Sequence, residues 1–304
     1  MTGVVAVTGA TGFIGNHLVT TLTGMGYHVK ALSRKYRDRA VDAECIKVDL
    51  ADNAALAQLV SDTDTVIHCA GMVRGNGYKV FEDANVTGTA NLIRAIDDQD
   101  KTPRLIFISS LAAREPHLSW YAMSKYQAEQ LLVSANDHLD WSIIRPTAVY
   151  GPGDKELSPL FKATKFGLLP ITGSADSRLG LIYVEDLVQA IILCIKSPDV
   201  TRKVYELDDG TPGGYDRYKI KKIAEQVWGH KVRIISAPIL LAKGIAQINL
   251  FLSGILNYLP MLTPGKVREL NHHDWVCNIV HFVNDTGWQP KTLLKDGLEK
   301  AILS

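Results

Sequence analysis

The chain has few cysteines and sets none of them where metal or disulfide chemistry needs them. Cys45, Cys69, Cys194 and Cys277 are scattered among 304 residues, without a Cys-x-x-Cys pair or metal-ligand spacing. Reduced, buried thiols in a cytosolic protein are the expectation. Strong charge of either sign is also missing: the formal net charge is +1, so no broad field recruits nucleic acid or an anionic membrane. Met1 runs straight into an apolar strand-like segment rather than a basic stretch followed by an apolar one. No secretory leader is therefore expected, and a cytoplasmic location is. Internal repeats and low-complexity tracts are absent too. With 46% apolar residues the sequence is able to bury a sizeable core, and its length exceeds one typical domain.

What the chain does have is Tyr121-x-x-x-Lys125 in WYAMSKYQAEQLL, preceded by Ser110 in IFISSLAA. Residues four apart share a helix face, so a phenol and an ammonium can approach one substrate atom. A phenol with a pKa of about 10 is a poor base at neutral pH, and a nearby cation would lower it. Lys125 is the expected source of that charge, and the Ser110 hydroxyl is placed to bond a substrate oxygen as charge develops. On its own such a pair also arises by chance on a solvated helix.

The N-terminus makes chance a poor explanation. An apolar run, Val4 to Val7, leads directly into glycines at 9, 12 and 15 and then a helix-like stretch, Asn16 to Leu22. In a strand-turn-helix setting Gly9 permits the tight turn, Gly12 lets backbone approach a pyrophosphate, and Gly15 lets helix pack on strand. Strand-like runs recur at 29–34, 45–50, 65–70, 104–110 and 142–150. Helical patterns lie between them at 54–59, 85–96 and 121–135. This alternation predicts an α/β fold with a doubly wound parallel sheet and ligands at the carboxyl ends of its strands.

Several segments together carry a family resemblance. TGATGFIG at 8–15, Asp49-Leu50, HCAG at 68–71, Asn85 in NVTGTANLI, Ser110, Tyr121 and Lys125, RPTAVYGPGD at 145–154 and GWQP at 287–290 fall in one order from residue 4 to about 295. In this the chain resembles the extended short-chain dehydrogenase/reductase superfamily, often called the NAD-dependent epimerase/dehydratase family. The resemblance implies a Rossmann core over 1–150, to which 181–196 returns, and a smaller substrate-binding lobe mainly over 151–304. It implies catalysis by Ser110, Tyr121 and Lys125, with Lys125 also binding the nicotinamide ribose. The implied cofactor set is Gly9, Thr11, Gly12, Phe13, Ile14, Gly15, Ser33, Arg34, Asp49, Leu50, Ala70, Gly71, Asn85, Tyr121, Lys125, Pro146 and Val149. Asp49 would lie near the adenine, unless it merely caps the helix after it. A homodimer is a further implication.

Strand two ends in Ser33-Arg34-Lys35, with Arg37 behind and no acid before Asp38. An NAD site usually puts an acid here for the ribose hydroxyls, whereas arginine accommodates a 2′-phosphate. NADP is therefore favoured over NAD, although relatives with similar loops accept either. Dehydratases of the superfamily follow the serine position with an acid pair, and Leu111-Ala112 stand here instead. Nucleotide-sugar epimerases carry a longer loop than the eleven positions between Ser110 and Tyr121. The expected activity is hydride transfer between nicotinamide and a ketone or secondary alcohol, on a lipophilic ketone or a nucleotide sugar. A nucleotide-sugar epimerase and a non-catalytic regulator or assembly subunit are the alternatives.

The remaining segments are less specific. Arg178 in SRLGLIYVEDLVQAI is either a substrate phosphate ligand or a solvated loop residue. Pro152, Pro159, Pro170 and Gly173 punctuate a loop-rich wall, and 214–229 reads as a helix. Residues 239–262 are apolar almost throughout, interrupted by Lys243, Gln247, Asn249 and Asn257. A buried or amphipathic helix pair, an apolar lid, and a surface resting on a membrane are the readings of this segment. His272, His273 and Asp274 lack a suitably spaced third ligand, so no metal is expected.

Overall fold

The computed structural model describes residues 3–33, 43–47, 49–135, 137–172, 176–236, 238–256 and 258–303. Arg34, Lys35, Arg37, Gly173 and Asn257 lie outside them.

Six short apolar runs form β1 (Val4–Thr8), β2 (His28–Ser33), β3 (Ala43–Lys47), β4 (Thr65–His68), β5 (Arg104–Ile108) and β6 (Trp141–Pro146). A seventh strand, Lys203–Leu207, joins them from the C-terminal half. The order across the sheet is Lys203–Leu207, β6, β5, β4, β1, β2, β3, and every pairing is parallel. This is the Rossmann-type doubly wound arrangement, with its crossover at β1 and β4. Because side chains alternate along a strand, Val5, Val7, Ile106 and Ile108 face one core while Ala6, Leu105 and Phe107 face the other. Helices cover both faces, which is why the central strands carry apolar residues toward both. A third core, around Tyr150, Phe161, Leu169 and Tyr183, belongs to the segments after β6.

Some boundaries differ from the sequence reading. The expected strand at 142–150 is two strands, because Thr147 turns away to donate its N–H to the Leu207 carbonyl (2.9 Å), and Ala148–Tyr150 then pairs with Leu181–Tyr183. Strand three sits earlier than 45–50, at Ala43–Lys47, leaving Asp49 and Leu50 in the turn beyond it. The helix expected at 85–96 begins as a π turn, Glu82–Thr87, before regular helix at Gly88–Asp97. The helix pair expected over 239–262 is one helix, Ile239–Leu256, followed by irregular chain and a second helix at Pro264–Asn271. Of the four free cysteines only Cys194 is buried; Cys45 is exposed, and Cys69 and Cys277 are half-buried.

Candidate active site

The turn after β1 is built by its glycines. Gly9 has a φ of +69°, and a Cβ there would lie 2.6 Å from the Ala70 nitrogen. A Cβ on Gly15 would overlap the Gly9 carbonyl. Helix α1 (Phe13–Gly24) follows, with Gly12 at its N-cap and no side chain capping it, so its first N–H groups are left for an anion. Thr11 Oγ1 lies 2.9 Å from Ser33 Oγ, which joins the glycine turn to the end of β2. These features fit a dinucleotide: the backbone is bare where a pyrophosphate has to approach, and any side chain would fill that space.

Beside the turn, the buried Thr8 hydroxyl is 2.6 Å from His68 Nδ1 and accepts the Ala70 N–H at 3.2 Å. Burial, reinforced by the Lys125 charge, pushes the His68 pKa down to about 3, so this imidazole is a neutral spacer. Asn85, on the π turn, accepts the Met72 N–H (2.7 Å) and donates to the Met72 carbonyl (3.0 Å) and Ser124 Oγ (2.9 Å). It thereby fastens the Ala70-Gly71 strand end to the tyrosine helix, Trp120–Val133. π turns often mark functional positions. Leu50 is buried, whereas Asp49 is exposed and accepts the Ala51 N–H at 3.2 Å. Capping of the next helix falls to Asp52 instead.

The tyrosine helix starts at Ser119, whose Oγ accepts the Ala122 N–H at 2.9 Å. Ser110 follows β5 and accepts the Ala112 N–H at 3.2 Å, and its hydroxyl lies near enough to the Tyr121 phenol to pull that group's pKa down against the effect of burial. Lys125, one turn along, is buried; its ammonium donates to the Ile108 carbonyl at 2.7 Å and lies 4.2 Å from the Phe107 ring centre. Burial lowers its pKa to about 8 against the opposing pull of Glu129. Glu129, itself buried, is held by Arg145 (2.6 and 3.0 Å) and by Ser109.

The expected lowering of the Tyr121 pKa is not what this environment produces. Burial raises it, the Ser110 hydroxyl lowers it, and Glu269, Lys266 and Glu156 supply the next charges. The net direction is upward because desolvation dominates and the Lys125 ammonium is turned to a carbonyl.

Tyr121 and Ser110 open onto a cavity of about 830 Å³, which Phe13, Ile14, Pro146 and Val149 also line. Gly9, Thr11 and Gly12 lie in the turn that precedes Phe13 and Ile14, Gly15 follows them in α1, and Gly9 packs against Ala70 just beyond β4; neither these glycines and Thr11 nor Ala70, Gly71, Asn85 or Lys125 are part of the cavity wall itself. Sequence reasoning missed a polar group across the cavity. Lys266 lies 3.0 Å from Glu269, whose carboxylate also takes the Ser119 hydroxyl. Burial pulls the Lys266 pKa down, but Glu269 outweighs it and the net shift is upward. No local signal marks these residues, since Ser119 and Glu269 are 150 positions apart. Arg178 begins a two-residue strand paired with Asp274–Trp275, donates to the Gly213 carbonyl at 3.1 Å and lines the cavity, so it is not the solvated loop residue of the second expectation. His272 packs against Trp275 with the rings tilted by 50° and their centroids 4.6 Å apart.

A model of the NAD-dependent epimerase/dehydratase family matches residues 5–207. The chain belongs to that family. It is an NAD(P)-dependent enzyme. It is 36% identical over 283 residues to a ceramide reductase of Caulobacter vibrioides, covering 90% of this chain and 86% of that one. It is 29% identical over 233 residues to a UDP-glucose 4-epimerase of Vibrio cholerae, covering 68% and 70%. The solved structure of MoeE5 with UDP-glucuronic acid and NAD superposes with a TM-score of 0.77 at 23% identity, over 98% of this chain and 97% of that one. This last likeness shows the fold.

Proposed function

We propose that this family member is a reductase of a long-chain lipid ketone, with NADP favoured as the source of reducing power. The observation that carries the reading is the run of apolar side chains in the cavity that Tyr121 lines. Leu157, Leu160, Leu169, Ile171, Leu250 and Leu262 all face it, which gives an acyl chain a surface to lie on. A diphosphate would need free cations, whereas Arg74 is paired with Glu156 (2.6 Å) and Lys266 with Glu269 (3.0 Å), while Arg268 donates to the Leu118 carbonyl (2.7 Å) and Arg178 to the Gly213 carbonyl (3.1 Å), which leaves Arg217. The relative named ceramide reductase supports a lipid substrate.

In this reading the Gly9–Gly15 turn and the start of α1 hold the pyrophosphate, and Lys125 and Asn85 support the nicotinamide end. The bound nicotinamide supplies a hydride to the carbonyl carbon. Ser110 donates a hydrogen bond to the carbonyl oxygen and holds it beside Tyr121. Because burial raises the Tyr121 pKa, the phenol keeps its proton at neutral pH and is poised to give it to the oxygen as the C=O bond becomes an alcohol. Lys125, with a pKa near 8, lies one turn below to offset the phenolate that remains. Arg34, Lys35 and Arg37 favour NADP by their chemistry alone.

The test is purified protein with NADPH or NADH and a long-chain keto lipid, followed by loss of nicotinamide absorbance and by mass of the alcohol. Stoichiometric NADPH oxidation supports the reading. Conversion of a UDP-sugar without cofactor release would instead establish the epimerase. One feature favours that second reading: Arg217 lines the cavity, and its buried Nε has no hydrogen-bond partner among the described residues.

A further inference from the structure

Helix Ile239–Leu256 buries only Ala242, Ala246 and Ser253. At 100° per residue those three lie on one stripe. The opposite side presents Leu240, Leu241, Ile245, Ile248, Phe251 and Ile255, with exposures from 50% at Ile245 to 79% at Leu240. Lys243 and Gln247 stand at one flank of this arc rather than within it. So wide a continuous apolar face is not left to water without a partner.

Length and composition would let this helix cross a bilayer, but its anchoring does not. Upstream, Arg233–Ser236 pairs with Leu168–Ile171. Downstream, the helix Pro264–Asn271 is bound to the body through Arg268 and Glu269. Asn249 donates to the Leu262 carbonyl at 2.8 Å, which ties the inner stripe to the same body. Both ends therefore stay on one side, as they do for a helix lying in the interface.

Charge identifies the occupant. No Asp or Glu occurs between Glu225 and Glu269, whereas Lys231, Arg233, Lys243, Lys266 and Arg268 do. Lys231, Arg233 and Lys243 are exposed. The chain as a whole is nearly neutral, so this stretch, cationic through Lys231, Arg233 and Lys243 on and just before the helix, is a local excess of positive charge. The same segment reaches the active site: Leu250, Pro260, Met261 and Leu262 line the cavity that holds Tyr121.

We propose that the outer face of Ile239–Leu256 lies in the interface of an anionic bilayer and that the lipid substrate enters the cavity from that bilayer beneath Leu250 and Leu262. The entry step rests on the lipid-ketone reading above; the docking of the helix does not.

The test compares wild type with the double variant Ile248→Glu, Phe251→Glu, both residues being exposed and outside the cavity wall. Flotation with vesicles of phosphatidylcholine, with and without phosphatidylglycerol, reads docking directly. Wild type should float, more so with phosphatidylglycerol, and the variant should bind about a hundredfold less, about tenfold for each apolar side chain withdrawn. The variant should lose turnover on a vesicle-borne long-chain ketone yet match wild type on a short, water-soluble one. Wild type that stays unbound overturns the proposal. So does a wild-type dimer that the substitutions dissociate, since the face would then cover a second copy. Flotation without reduction of either ketone sinks the substrate reading and its entry route while leaving the docking intact.

Discussion

Replacing Lys125 with Met should make the cofactor-free protein more stable while disabling it. The ammonium is buried and its pKa falls from 10.5 to about 8. That difference corresponds to about 3 kcal/mol by which folding disfavours the charged form. The sign follows from the direction. Below about pH 8 the group is charged in both states, and the folded protein bears the whole penalty. As pH rises from about 8 to about 10.5 the folded protein loses its proton first, and the penalty disappears. Methionine has a similar length and no charge, but it gives up the bond to the Ile108 carbonyl, at about 1 kcal/mol. The net gain near pH 7 is about 2 kcal/mol, or about 3 °C in Tm for a chain of this size. Thermal unfolding of both proteins without cofactor, near pH 7 and again near pH 10, measures it. The gap should shrink at the higher pH, and turnover of the variant should fall at least about a hundredfold. A variant no more stable than wild type near pH 7, or a gap indifferent to pH, would refute the reasoning.

Tyr121→Phe should nearly abolish turnover with nicotinamide binding largely kept, as fluorescence titration would report; surviving turnover would remove Tyr121 as the proton donor. Gly15→Ala should cost upward of about 3 kcal/mol, because its Cβ would overlap the Gly9 carbonyl oxygen and sit 2.8 Å from the carbonyl carbon, backbone atoms that cannot move aside as a side chain could. Calorimetric titration should then show lost NADPH binding. Arg145→Met strands the Glu129 carboxylate, 1% exposed, and should lower stability by about 3–5 kcal/mol. Adding Glu129→Leu should recover most of that loss in the same unfolding assay. Arg34→Glu should shift preference from NADPH toward NADH, measured as the ratio of kcat/KM values.

Much of the core was legible because its signals are local. The run at Val4–Val7, the glycine spacing and the helix after it specify one strand-turn-helix unit without help from the rest of the chain. Tyr121 and Lys125 are likewise readable, since four positions on a helix fix a shared face. Three features were not. Lys203–Leu207 joins the sheet by pairing with β6 from about sixty positions away, and nothing in its own pattern says which edge it will take. The direction of the Tyr121 shift depends on desolvation, which the sequence does not display. The exposure of Ile239–Leu256 depends on how little of the protein packs against it, and an apolar run reads the same whether buried or bare.

The residues that sequence reasoning missed also connect the apolar segment to the catalytic helix. Ser119 caps that helix by accepting the Ala122 N–H, and the same hydroxyl donates to Glu269. Arg268 donates to the Leu118 carbonyl one residue earlier, and a Cβ on Gly265 would lie 2.9 Å from Ser119 Cβ. The helix Pro264–Asn271 thus rests against the first turn of the helix that carries Tyr121. Moving it would break the Ser119–Glu269 bond, leave a buried carboxylate without one of its donors, and bring Glu269 and Lys266 to new distances from the phenol. Those two are the charges that oppose each other at Tyr121. The cap and the acidity of the tyrosine therefore depend on one and the same contact. Ser119→Ala, which removes the hydroxyl but leaves Tyr121 and Ser110 in place, should shift the pH profile of kcat more than it changes KM. A proportional loss in both, with the profile unmoved, would mean that Ser119 serves only to cap its helix.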